Sequence, residues 1–402
     1  MECIACIFLL AVSPFDCRVC SPPAGIRGVF QGRFVSSLAP VRRIEELTFC
    51  RFIAAAIVVA GHYGAAWGIR GFVGPSLMSF FFVLSGFVLG ITYFGKDIDT
   101  KSYFIARIGR IVPLYLLALA LMLLFLVLQD ETLTFSAVAL NATMLQSWAL
   151  PHPRINGPAW SLSVEAFFYL VFPFAVYWIK RYQISVPKLF ALSFALWVIT
   201  QVIVTPVLWT SDHGYIRPVP HDFIFYFPPV HLNSFLMGLT GAVWFLDKRP
   251  VVTNQAVSRL AVIGVFALLT AVCVGQRQIQ ALLGFELPFG SSFMAPLWLL
   301  FILVISVCGI PFFSSRLAMP LIILGEASYG LYILQKPAHS FFVEYVSKPL
   351  GMGERMEFVV FFAVFVLLTV FLFFCFEKPV NKAVRRYLAP AVGRLLPAVT
   401  KA

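Results

Sequence analysis

Two residues in one apolar stretch could do chemistry together: Arg51 and His62, in Phe49-Cys-Arg-Phe-Ile-Ala-Ala-Ala-Ile-Val-Val-Ala-Gly-His62. In a helix, eleven residues at 100° each return to within ~20° of the starting face, with a rise of ~16 Å. Both side chains then look out from one side of one helix, about half a membrane apart. An ionisable group inside a spanning helix is costly and is by default a functional hypothesis. Snorkelling of the arginine and a neighbour for the histidine would explain either residue alone. They explain the pair less well.

Further along, Arg107-Ile-Gly-Arg110-Ile-Val-Pro113-Leu-Tyr115 puts two arginines three residues apart at the start of a helix, hence on one face. Forked guanidinium groups suit phosphate, of a ligand or of lipid headgroups. In Asn156-Gly-Pro-Ala-Trp160-Ser161-Leu-Ser163-Val-Glu165, Pro158 sits where a helix can begin and Glu165 falls about two turns inside it. A carboxylate there, at the depth of His62, would orient an imidazole and support its charged form as general-base catalysis requires. A structural His–Glu or Arg–Glu pair is the alternative, and both need the two helices adjacent. Ser85 and Gly86, among bulky residues in Phe80-Phe-Phe-Val-Leu-Ser-Gly-Phe, allow a close helix approach or a ligand contact. Leu324-Gly-Glu326-Ala-Ser328-Tyr329-Gly-Leu-Tyr332 supplies three hydroxyls within about a turn of one another. Metal is not expected. Cys3, Cys6, Cys17 and Cys20 have a zinc-like CxxC-x10-CxxC spacing but enclose an apolar segment unlike a zinc loop. Asp212, His213, His221, Asp222 and His231 show no tight ligand spacing.

The elements that must position these groups are membrane helices. The chain has 402 residues, 60% of them hydrophobic and 12% charged, about half the charge of a soluble protein. Apolar runs recur near 46–66, 71–92, 111–129, 159–179, 188–208, 226–246, 257–275, 291–309, 321–340 and 357–376, giving an all-α polytopic membrane protein of about ten transmembrane helices. The apolar stretch 135–149 is too short to span and reads as interfacial or re-entrant. With both termini cytoplasmic, inner segments collect 22 Lys and Arg and outer segments seven, while Arg51 is intramembrane. The net charge of +12 is thus assigned to cytoplasmic loops and not to nucleic acid. Residues 1–40 read as a poorly ordered extension, 41–380 as the ten-helix domain and 381–402 as a basic cytoplasmic tail.

Taken in order, these segments resemble the membrane-bound acyltransferase 3 family of multi-span O-acyltransferases. The resemblance rests on Arg-x10-His in span one, Phe-Phe-x-Leu-Ser-Gly-Phe in span two and Arg-x-x-Arg-Ile-x-Pro-Leu-Tyr. Trp-Ser-Leu-x-x-Glu, Leu-Gly-x-x-Ser-Tyr-x-Leu-Tyr and Glu-Lys-Pro follow, and together they cover roughly residues 44–380. It implies transfer of an acyl group, usually acetyl, from cytoplasmic acyl-coenzyme A to a hydroxyl, usually of a carbohydrate, in a bacterial cytoplasmic membrane. By resemblance Arg51 and His62 are the catalytic basic pair, with Glu165 the acidic residue. Arg107 and Arg110 belong to the coenzyme A end, and Ser328 with Tyr329 is the late Ser-Tyr pair. Ser85, Trp160, Ser161 and Tyr332 would support substrate or structure. Where many relatives have a histidine, this chain has Gln335. Some relatives carry a fused extracytoplasmic hydrolase-like domain; this chain is expected to act alone or with a separate envelope partner.

The expectation is that His62, oriented by Glu165, takes the proton of the acceptor hydroxyl as it attacks the thioester, or carries the acyl group itself. Arg51 would stabilise the oxyanion or hold the phosphate chain. The competing class is a proton-coupled transporter or flippase using the same intramembrane Arg, His and Glu as a relay. Such a relay does not need Arg107 and Arg110, and half-to-half repeats common in transporters are not evident.

Overall fold

A computed structural model describes residues 44–68, 74–210, 218–248 and 254–395, with 250 and 252. The candidate zinc cysteines, Arg70, Asp212, His213, Arg217 and the expected extension lie outside the described residues. Among the described residues all regular structure is helical, in fifteen α-helices joined by short 3-10 and π turns. In chain order they are α1 Glu45–Tyr63, α2 Gly74–Tyr93, α3 Thr100–Leu128, α4 Phe135–Ala142 and α5 Trp160–Arg181. There follow α6 Val186–Thr210, α7 Pro218–Tyr226, α8 Pro228–Lys248, α9 Gln255–Val274 and α10 Gln276–Leu283. The chain continues through α11 Ala295–Cys308, α12 Met319–Ile333, α13 Gln335–Phe342, α14 Glu354–Leu372 and α15 Lys378–Leu395.

Among the described residues seven helices are long and apolar enough to cross a membrane, or eight when α12 and α13, bent by 70°, count as one broken span. The two remaining expected spans differ for physical reasons. α11 has 14 residues, a rise of about 21 Å against a hydrocarbon core of about 30 Å. α8 is long enough, but it is an interior helix with buried His231, Asn233, Ser234 and Thr240. It faces protein, so its polar groups need partners rather than lipid solubility. They have them: Asn233 donates to the Ser292 hydroxyl at 2.8 Å, and Thr240 shares a hydrogen bond with Ser193 at 2.7 Å.

The 135–149 stretch is α4 plus a 3-10 turn, as a non-spanning segment requires. The expected boundary at 380 falls inside α15. That helix packs along α3.

Two close approaches set the frame of the site. α2 and α8 cross at backbone contact: a Cβ on Gly86 would sit 2.0 Å from the Phe235 carbonyl oxygen, and one on Gly238 1.9 Å from that of Val83. No side chain fits either position, so the helices meet without spacers. α12 lies on α1 in the same way, because a Cβ on Gly325 would meet the Thr48 carbonyl oxygen at 2.2 Å. Arg51, one turn past Thr48, is thereby set against the face of α12 that carries Ser328 and Tyr329.

Candidate active site

One cavity of about 850 Å³ runs between α1, α2, α3, α5, α12 and α15. Nine of the eleven residues singled out in the sequence line it: Arg51, Ser85, Arg107, Arg110, Ser161, Glu165, Ser328, Tyr329 and Tyr332. His62 and Trp160 do not. Lys96, Glu326, Asn381 and Arg385 also line it and were not singled out.

The basic end is organised by the first turns of α3, which Asp99 caps by accepting the Ser102 amide at 3.2 Å. Three-residue spacing does place Arg107 and Arg110 on one face, but they are held differently. Arg110 donates to Glu377 at 2.8 Å, and its guanidinium lies 5.9 Å from the Tyr329 ring centre. Glu377 is 4% exposed, closes a π-helical turn after α14 and also lies in the field of Arg51. The extra residue in that turn re-aims the carboxylate inward. Arg107 rests over Tyr169 at 5.6 Å and Tyr93 at 5.9 Å, and its Nε is buried without a hydrogen-bond partner. A buried guanidinium N–H with no acceptor is an incomplete arrangement that an anionic ligand would complete. Beside this pair, Asn381 accepts from Arg385 Nε at 2.9 Å at the edge of the same cavity.

Midway, the Glu165 carboxylate accepts from Tyr169 at 2.5 Å and from Ser85 at 3.4 Å. Ser85 thus contributes a hydrogen bond to the cavity while its neighbour Gly86 makes the helix crossing. Ser161 donates to the Tyr332 hydroxyl at 2.8 Å, which donates to the Pro158 carbonyl at 2.8 Å. Ser328 bonds back to Gly325 within its own helix, and Tyr329 donates to the Ile111 carbonyl at 2.6 Å, tying α12 to α3. Trp160 is packed beside the cavity, its ring 5.0 Å from Tyr226 and 5.4 Å from His231.

His62 is exposed at the far end of α1. The partner expected for it was Glu165, and the structure gives another: Nδ1 lies 2.7 Å from Gln335 Oε1. Gln335 is fully buried and donates through Nε2 to the Tyr332 carbonyl at 2.7 Å. His62 therefore stands just beyond the cavity, linked to it by one side chain and one residue of α12. Adjacency of α1 with α13 instead of α5 accounts for the difference, and helix adjacency is not written in sequence spacing.

Asp222, after α6, is the centre of a structural knot. The fully buried Asp222 accepts from Arg154 at 2.6 Å, the His152 amide at 2.8 Å and His221 at 3.1 Å. Burial opposes its charge, but these donors together hold its pKa below the ordinary carboxylate value. Burial lowers that of His152. Among the described residues no group of three or more His, Cys, Asp or Glu side chains is placed to hold a metal ion.

An integral membrane protein, helical throughout its described residues, with a cavity basic at one end and an imidazole just beyond the other, is the class that fold and site define. Residues 44–377 match the acyltransferase domain model of the acyltransferase 3 family, and the chain belongs to that family. It is similar to the acyltransferase MdmB of Streptomyces mycarofaciens, 29% identical over 56% of this chain and 64% of the relative. It is also similar to the peptidoglycan O-acetyltransferase OatA of Listeria monocytogenes, 25% identical over 73% of this chain and 49% of the relative. The O-acetyltransferase OatA of Staphylococcus aureus is 24% identical over 74% and 50%. The chain thus spans about half to two thirds of the length of these curated relatives. No solved structure matches.

Proposed function

We propose that this protein is an O-acyltransferase moving an acyl group, acetyl by preference, from acyl-coenzyme A to a hydroxyl of a carbohydrate or glycoconjugate. The observation that carries the reading is the polarity of the cavity. Arg107, with its unsatisfied buried N–H, lies at one end beside Arg110 and Arg385. At the other end the cavity closes on Tyr332, one hydrogen bond from the residue that holds His62.

A coenzyme A donor has phosphates at one end and a thioester at the end of a long arm, matching a site with separated charge and base. Arg107, Arg110 and Arg385 would hold the phosphates, with Lys96 at the same mouth. Arg51 lies ~16 Å along α1 from His62, which suits the phosphate chain or the arm better than a thioester oxyanion beside the imidazole. The acceptor hydroxyl would meet the thioester at the His62 end. His62 takes the hydroxyl proton as oxygen attacks the carbonyl; the C–S bond breaks and the thiolate recovers the proton from the imidazolium. The products are an ester and free coenzyme A. Glu165, bonded to Ser85 and Tyr169, would balance Arg107 and fix the cavity wall.

The reading includes ten spans with both termini cytoplasmic. It puts the arginines on the donor side of a bacterial cytoplasmic membrane and His62 on the acceptor side. The positive-inside distribution supports this orientation, and the relatives' names support O-acetyl transfer and an envelope acceptor. The test is the full chain in liposomes with radiolabelled acetyl-coenzyme A and a bacterial envelope glycan fraction. Label in the glycan together with free coenzyme A is the expected result. Glycan or lipid-linked sugar transport with no coenzyme A release would replace this reading by the transporter class.

A further inference from the structure

The break between α12 and α13 sets Gln335 against His62. Pro337 has no N–H, so the Ile333 carbonyl four residues earlier loses its helical donor, and the ring crowds that carbonyl. The chain bends by 70° there. Asn156 fills the gap, donating through Nδ2 to the Ile333 carbonyl at 3.1 Å. Gln335, at the first position after the bend, turns its own amide back to the Tyr332 carbonyl at 2.7 Å.

That second bond decides the chemistry of the first. A backbone carbonyl only accepts, so the group facing Tyr332 must be the NH₂ of the amide and the group facing His62 must be its oxygen. An amide oxygen likewise only accepts, so the nitrogen 2.7 Å away, Nδ1, must carry a proton. The reversed amide would set oxygen against oxygen at Tyr332. Nδ1 keeps its proton in both the neutral ring and the imidazolium, so uptake and release are confined to Nε2.

We infer that Gln335 is the positioning residue for His62, holding the imidazole as its Nδ1–H tautomer so that Nε2 is the atom that takes and returns the acceptor's proton. This deepens the proposed function and rests on His62 being its base. Tyr332 links the two parts: its carbonyl anchors Gln335, while its hydroxyl lines the cavity and receives Ser161. The orientation of the base is thus built onto the residue that ends the donor cavity.

The test is nitrogen-15 NMR of the full-length protein, labelled on histidine, in lipid nanodiscs, with His62→Ala to assign the signal. In the wild type, Nδ1 of His62 should show the protonated shift and Nε2 the unprotonated one. Gln335→Leu keeps the size but removes the acceptor. The tautomer should move toward Nε2–H, kcat should fall about 10- to 100-fold, and KM for acetyl-coenzyme A should stay within about twofold. Gln335→Glu keeps an oxygen toward Nδ1 but gives up the bond to the Tyr332 carbonyl and adds charge, so it should restore the Nδ1–H signal with only part of the lost kcat, even if the leucine variant is poorly folded. An Nε2–H tautomer in the wild type, or a folded Gln335→Leu with unchanged kcat, overturns the inference. A fully active His62→Ala is a separate result, which removes His62 as the base and leaves the measured tautomer as it is.

Discussion

At one end of the cavity Arg110 shares its charge with Glu377, while Arg107, three residues away, lies across two tyrosine rings with a buried N–H unpaired. Just beyond the other end His62 meets a neutral amide that is itself fixed to backbone. The basic end holds charge in reserve, and the His62 end holds a single hydrogen-bond direction. A site that only bound an anion would need the first; one that only moved a proton would need the second. Their presence along one cavity fits a reaction whose donor is anionic at a distance from its reacting carbon.

Separate substitutions should break the two ends separately. The largest effect belongs to His62→Ala, which should lower kcat by about 10²- to 10⁴-fold with KM for acetyl-coenzyme A little changed, read by steady-state label transfer. Arg107→Ala should act the other way. Loss of charge-assisted hydrogen bonds of about 1.5–3 kcal/mol should weaken coenzyme A binding about 10- to 100-fold, measured by calorimetry in nanodiscs. Arg385→Ala, at the exposed rim, should raise KM by only a few fold, since solvent screens such groups.

The smallest effect on catalysis should come from the Asp222 knot, which touches neither end. The depressed pKa of Asp222 means that its stabilising contribution is present above the ordinary carboxylate range and is lost as pH falls through its folded value. Thermal unfolding followed from neutral to acid pH should show this loss in the wild type. In Asp222→Asn the protein should be less stable at neutral pH, its additional acid sensitivity should shrink, and kcat per folded molecule should match the wild type.

Much of this was legible in the sequence because it depends on local spacing. Arg51 and His62 share a helix, Arg107 and Arg110 share a face, and small residues at 85–86 mark a helix crossing. Each of these readings needs only a helical period. What escaped depends on which helices are neighbours. The Glu165–His62 contact looked natural from depth alone, yet α1 meets α13, so His62 pairs with a residue 273 positions away. Glu377 reaches Arg110 across 267 positions through a π turn that no apolar period announces. The run 226–246 reads as a span, yet α8 is an interior helix whose Asn233 and Thr240 find partners on neighbouring segments, and α15, with Asn381 and Arg385, packs along α3.

The most direct test of the central claim, that one cavity divides donor binding from base catalysis, is to measure both in His62→Ala on the same sample. Acetyl-coenzyme A should bind with a Kd within about twofold of wild type, while single-turnover transfer to the glycan acceptor falls by at least about 10². Transfer at the wild-type rate, or loss of donor binding in a folded His62→Ala protein, would contradict the division.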